Sequence, residues 1–226
     1  MALSKPSVMD FVIAVDGPAA SGKGTVASGL AAAYALPYLD TGTLYRAVGV
    51  AVLQSGGSPD DSDAATAAAL ALQPHLIDAD AIRTAAAGEA ASQVAVHPGV
   101  RHALAELQRR FADTPGGAVL DGRDIGTVIA PLAPAKLFVT ADPETRATRR
   151  WRQLTARGEP VSLADVLADI HRRDERDKGR AAAPLVRADD AVLLDTSQMT
   201  IEHAADAARR IVETARARWL AYQSDG

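Results

Sequence analysis

Cysteine is absent from the 226-residue chain, which excludes disulfides, thiolate nucleophiles and cysteine-ligated zinc. Aromatic residues make up only 4%, too few for the platforms on which single-stranded nucleic acid stacks. No apolar run approaches the length that spans a bilayer. Positive charge is not in excess either. The 24 Lys and Arg against 28 Asp and Glu leave a net charge of −4, whereas a duplex binder carries a basic face. The five histidines, at 75, 97, 102, 171 and 203, show no metal-ligand spacing and read as structural. Residues 1–10 are mixed and show no apolar signal-peptide segment. These absences predict a globular protein in the cytoplasm, with no nucleic-acid or membrane partner. The length suits one domain with a minor insert.

What is present begins at Val12-Ile13-Ala14-Val15-Asp16, a β-branched run that enters Gly17-Pro18-Ala19-Ala20-Ser21-Gly22-Lys23-Gly24-Thr25. Strand, Gly-x-x-x-x-Gly-Lys, helix is the order of a P-loop. Gly17 and Gly22 open backbone angles that turn consecutive N–H groups inward around a phosphate. The following helix adds its positive end, and Lys23 a full charge. One departure stands out. The hydroxyl expected beside the lysine comes a residue late, at Thr25.

Further strands are predicted at 36–40, 118–121, 136–140 and 191–195, after a first at 11–16. Helices are predicted at 23–35, 43–54, 61–72, 98–111, 143–155, 163–176 and from a Thr200 cap to about 219. Thr41-Gly42 reads as a turn, and Leu44, Val48, Ala51 and Val52 as one helix face; 73–93 carries no clear pattern. Short apolar strands alternating with helices give an α/β fold, a parallel sheet covered on both faces. Ligands of such sheets sit beyond the carboxyl ends of the strands, where Gly17, Asp40 and Asp121 fall.

Asp121, ending a strand beside the loop, is placed to hold Mg²⁺ together with Thr25, directly or through water. Asp16 is a second candidate for that water shell. Arg46, Arg101, Arg123, Arg173, Arg176 and Arg180 lie beside these motifs. Singly each reads as a solvated charge; together they suit an enzyme that brings two polyanions into contact. Arg146, Arg149, Arg150 and Arg152 form a basic stripe that reads as surface charge. The charged run from 171 to 180 suits either a cover that closes over phosphates or a helix laced with ion pairs. Trp151 and Trp219 read as packing residues. The rival readings are another small-molecule P-loop kinase, acting on UMP, AMP or a hydroxyl acceptor, a nucleotide switch, and a catalytically dead binding module, which the presence of Lys23, Asp121 and the arginines disfavours. The guanine-selecting Asn-Lys-x-Asp of a switch does not occur.

With these residues in place, the chain resembles the bacterial cytidylate kinases among the nucleoside-monophosphate kinases. The resemblance rests on GPAASGKGT at 17–25, LDTGTLYR at 39–46, ASQVAVHPGVR at 91–101, DGRDIGTVI at 121–129 and RRDERDKGRAAAPL at 172–185. It implies a P-loop three-layer sandwich with a mainly parallel five-stranded sheet and an Arg-rich lid. The single domain would comprise a core (10–54, 94–156, 184–222), an insert for the monophosphate (55–93) and a lid (157–183). Many members carry a β-meander in the insert; 73–90 shows no hairpin, so a short helical insert is expected here. The implied reaction passes the ATP γ-phosphoryl group to CMP or dCMP, a step of pyrimidine nucleotide metabolism, in a monomer with Mg²⁺. By matching position, Gly17 to Thr25 would hold ATP phosphates, with Arg149 on the same side. Arg46, Arg123 and Arg180 would contact the CMP phosphate or the group in transfer, and Lys23, Arg123, Arg173 and Arg180 would be catalytic. Thr41 stands where the family has Ser or Thr. Ser92, Arg101 and Asp124 would read cytosine, and Arg173 with Asp177 would hold the sugar. The base assignment has a physical rationale: a carboxylate accepts from the cytosine N4 amine and repels the uracil carbonyl.

Overall fold

Val12 through Val15 are apolar at every position because both faces of their strand are covered. In the computed structural model, which describes residues 10–224, β1 (Ile13–Asp16) turns Ile13 and Val15 to one layer and Ala14 to the other, all fully buried. β2 (Tyr38–Asp40), β3 (Val119–Gly122), β4 (Ala135–Thr140) and β5 (Val192–Asp195) join it in the order β2-β3-β1-β4-β5, every pair parallel. The sheet is thus the five-stranded parallel one expected. α1 (Lys23–Tyr34) and α8 (Ile201–Ser224) cover one face through Val26, Leu30, Ala208 and Val212. On the other, α5 (Pro98–Ala112) packs Ala112 near Leu120, Ile125 and Ile129. Trp219 packs its ring against Phe11, centroids 5.2 Å apart, and Trp151 donates Nε1–H to the Val161 carbonyl at 3.1 Å. Both are packing residues.

The crossover after β2 departs from expectation at its start. Asp40 accepts from the Gly42 amide at 2.9 Å, so α2 (Thr41–Gln54) begins at Thr41 and there is no turn. Ala51 is exposed, while Leu44, Val48 and Val52 are buried with Ala65, Val100 and Leu104 between α2, α3 (Ser62–Leu70) and α5. The unpatterned stretch contains single 3₁₀ turns at Pro74–Leu76 and Ala81–Arg83, then α4 (Ala85–Val94), capped by Thr84 accepting from the Ala87 amide at 3.0 Å. Among the described residues this segment holds no strand, so the insert is helical. Beyond the sheet, α6 (Pro143–Thr155) and α7 (Leu163–Lys178) form a hairpin packed through Ala147, Leu154, Val166 and Ile170.

Asp16, the second candidate for a metal's water shell, is held by the backbone. Its two carboxylate oxygens accept from the Ile125 and Gly126 amides at 2.8 and 2.7 Å, closing a π-helical turn (Ile125–Ile129) onto the end of β1. Burial pushes its pKa up to about 6 against the lowering effect of the two amide bonds. Asp16→Ala orphans both buried donors, so it is expected to cost about 1–3 kcal/mol of stability. Chemical denaturation reads this; an unchanged midpoint and slope would contradict the assignment.

Candidate active site

The loop after β1 is shaped by contacts that allow no side chain. A Cβ at Gly17 would lie 2.0 Å from the Val139 carbonyl oxygen, and Gly22, with φ of 87°, starts α1 in the left-handed region. Loop residues and Lys23 line a cleft of about 660 Å³ at the carboxyl ends of the strands. Ala19, Ala20, Gly22, Gly24 and Thr25 line it with Asp40 and Asp121. Seven cations face the same space: Lys23, Arg46, Arg123, Arg149, Arg150, Arg152 and Arg173. Together with three aspartates they leave the cleft strongly positive, in a chain whose net charge is negative.

The electrostatics follow from that crowding. Burial, and then the Arg123 charge, lower the Lys23 pKa below the usual lysine range. Burial raises Asp121, against the pull of Lys23 and with the help of Asp40. Arg46 is brought down to about 10 by burial and by the Arg150 and Arg173 guanidiniums. The Lys23 and Arg46 shifts record burial first and then crowded positive charge, which a polyanion entering the cleft would relieve.

Among the described residues no group of three or more His, Cys, Asp or Glu could hold a metal ion alone. Asp121 and Thr25 nevertheless line the cleft with Lys23, and Asp121 Oδ1 accepts from the Tyr38 hydroxyl at 3.3 Å. One carboxylate plus one hydroxyl suits a hard cation that completes its shell with phosphate oxygens and water. The donor set fits Mg²⁺ on those terms.

Of the basic stripe on α6, Arg152 is exposed, as surface charge is, but Arg146, Arg149 and Arg150 are not. Arg146 is 2% exposed and makes two bonds to Asp174, at 2.9 and 2.5 Å, besides reaching the Ala141 and Ala19 carbonyls. It fastens α6 to α7 and to the P-loop. Arg149 donates to Thr196 Oγ1 at 2.9 Å and to the Thr196 carbonyl at 2.8 Å, at the cleft wall. Arg150 leaves Nη2 buried without a hydrogen-bond partner, facing Arg173 and the cleft. Spacing alone placed Arg150 in a solvated row; only the α6–α7 packing turns it inward.

Other predicted site residues sit beside the cleft, engaged with one another. Asp124 accepts from Arg101 Nη2 at 2.5 Å, both buried, and Arg101 lies 5.8 Å over the Tyr45 ring. Asp177 pairs with Arg123 at 2.9 Å and with Arg180. Arg173 pairs instead with Asp169 at 2.9 Å, so Arg173 and Asp177 do not meet. Ser92 accepts from Arg176 Nη1 at 2.7 Å. The Thr41 hydroxyl donates to the Asp121 carbonyl at 2.8 Å and steadies the β3 end. The charged run is helix through Lys178. It has pairs within α7 (Arg172 and Arg173 with Asp169) and pairs across to α4 (Arg173 and Arg176 with Glu89).

A P-loop facing a ring of arginines at the strand ends is the geometry in which comparison with known proteins becomes informative. The family model described as cytidylate kinase matches residues 13–214. The chain belongs to the cytidylate kinase family. A cytidylate kinase of a Caulobacter species is 67% identical over 211 residues, 93% of this chain and 98% of that protein. Those of Xanthobacter autotrophicus and Rhodopseudomonas palustris are 64% and 58% identical over 207 residues, each covering 92% of this chain and 98% or more of the relative. The family match spans the sheet, the α4 insert, the α6–α7 hairpin and most of α8. No helix of the described residues is long and apolar enough to cross a membrane.

Proposed function

We propose that this protein transfers the γ-phosphoryl group of ATP to the phosphate of CMP or dCMP, giving ADP and CDP or dCDP. The observation that carries the reading is the convergence of Lys23 with Arg46, Arg123, Arg150 and Arg173 on one cleft. One phosphate chain does not need so many cations; two chains meeting end to end do. The donor phosphates lie in the Gly17–Thr25 loop, with Arg149 at the wall. Met199 and Ile201, exposed at that end of the cleft, offer apolar surface to the adenine ring. The acceptor phosphate lies against Arg46, Arg123, Arg173 and Arg180, beside Thr41. Arg101, Asp124 and Ser92 read the base, and Asp177 holds the ribose.

An acceptor phosphate oxygen attacks the γ-phosphorus, and the bond to the β–γ bridging oxygen breaks, so that ADP leaves with the electron pair. The acceptor oxygen is already anionic, and no general base is required. Catalysis then consists of alignment and of cations that stabilise the charge in transfer. Mg²⁺, when bound by Asp121 and Thr25 partly through water, adds charge neutralisation on the donor phosphates. A cytoplasmic monomer is the setting assumed.

The test is initial rates with CMP, dCMP, UMP and AMP at fixed Mg·ATP. The reading predicts kcat/KM for CMP or dCMP at least about 100-fold above AMP, as expected where mismatched buried polar groups do the selecting. AMP or UMP turning over faster than both cytidine nucleotides would overturn it.

A further inference from the structure

We infer that α4 is the positioning element for the arginines that hold the acceptor phosphate, and that Gly88 is the residue that lets them converge. The inference rests on the functional reading above. α2 and α4 touch along their backbones: a Cβ at Gly49 would lie 2.7 Å from Ala90 Cβ and 2.9 Å from the Ala90 carbonyl carbon. That close crossing fixes Arg46, one turn earlier on α2, against the start of α4. Arg46 Nη1 also donates to the Ile82 carbonyl at 3.3 Å. From the opposite side Arg173 of α7, 8% exposed, reaches over the same helix. A Cβ at Gly88 would stand 2.8 Å from Arg173 Nη2 and 3.2 Å from Arg46 Nη1. Two guanidiniums of opposite walls thus rest on one α-carbon.

The next residue answers the charge this gathers. Glu89 Oε1 accepts from Arg176 Nη2 at 2.9 Å, and its carboxylate lies 3.8 Å from Arg173 Nε. Oε2 is buried without a hydrogen-bond partner, and that Nε lies 2.9 Å from Asp169 Oδ2. Glu89 therefore holds the lid arginines near α4 without consuming the Arg173 fork that a phosphate needs. Gly88 and Glu89 act through Arg46 and Arg173, as positioning residues.

The physics of the substitution separates this role from a structural one. Glycine inside a helix is a worse helix former than alanine, so Gly88→Ala favours α4 itself. The atoms a new methyl would meet are the ends of two flexible side chains, which swing away, and the fold tolerates this. The phosphate site does not. Gly88→Ala is expected to leave the melting temperature equal or higher, to raise KM for CMP by about 10-fold or more, and to keep KM for ATP within about twofold. Calorimetric titration with CMP should show the same weakening. Glu89→Gln, which adds no bulk, should raise KM for CMP and leave that for ATP alone. A Gly88→Ala protein whose KM for CMP is unchanged overturns the inference. So does one in which both KM values rise as the melting temperature falls, since α4 would then be merely structural. A wild-type protein that binds no CMP overturns the functional reading and this inference together; a wild type and variant that bind CMP equally well overturn the inference alone.

Discussion

Lys23→Ala should lower kcat by about 100- to 1,000-fold or more while the folded state survives. The side chain lines the cleft from the first residue of α1, where the proposed reaction would bring its charge to the phosphoryl group in transfer. Its proton is already held below the usual lysine range by burial and by Arg123, so the group is poised for an anion. Truncation removes that charge from the transition state and leaves the hydrophobic layers of α1, built on Val26, Ala27 and Leu30, intact. Stopped assays with Mg·ATP and CMP, set beside a melting curve, separate the two effects. Turnover within about tenfold of wild type would remove Lys23 from the chemistry.

Asp124→Asn should change which base is accepted. Asp124 and Arg101 form a buried pair beside the cleft, and a cytosine presented there offers an N4 amine to the carboxylate and N3 and O2 acceptors to Arg101 and Ser92. Replacing the carboxylate with an amide of the same shape removes the repulsion that uracil O4 would meet. The expected result is a fall of about 100-fold or more in kcat/KM for CMP with a much smaller change for UMP. The variant also leaves Arg101 buried without its carboxylate, so a stability loss of about 3–5 kcal/mol is expected. The ratio of the two acceptors, measured well below the melting temperature, is insensitive to that loss. Equal falls for CMP and UMP would take Asp124 out of base reading.

The P-loop, the strands and the helix starts at Pro98, Pro143 and Leu163 were legible because each rests on local rules: a glycine that must be glycine, a cap, a first-turn proline. α4 was not legible. Its sequence AAAGEAASQV contrasts little between its faces, and its burial depends on meeting α2 at Gly49. The start of α2 was misplaced because Asp40 caps a helix where Thr41-Gly42 alone reads as a turn. The arginines show the limit most clearly. Their presence was visible, but the partner of Arg146 lies 28 residues on and the carbonyl that Arg149 engages lies 47 on. Asp16 bonds amides more than a hundred residues away. Spacing within one helix shows which charges share a face; only the docking of α6 on α7 decides which face is the inside of a phosphate site.

The claim beneath all of this is that donor and acceptor phosphates occupy the arginine-lined cleft together and exchange one phosphoryl group directly. Product stoichiometry tests it. Purified protein is incubated with Mg·ATP, with and without CMP, and ADP, CDP and inorganic phosphate are resolved. One CDP should form for each ADP, with inorganic phosphate at background in both reactions. ADP and inorganic phosphate released at the same rate whether or not CMP is present, with no CDP, would contradict the account.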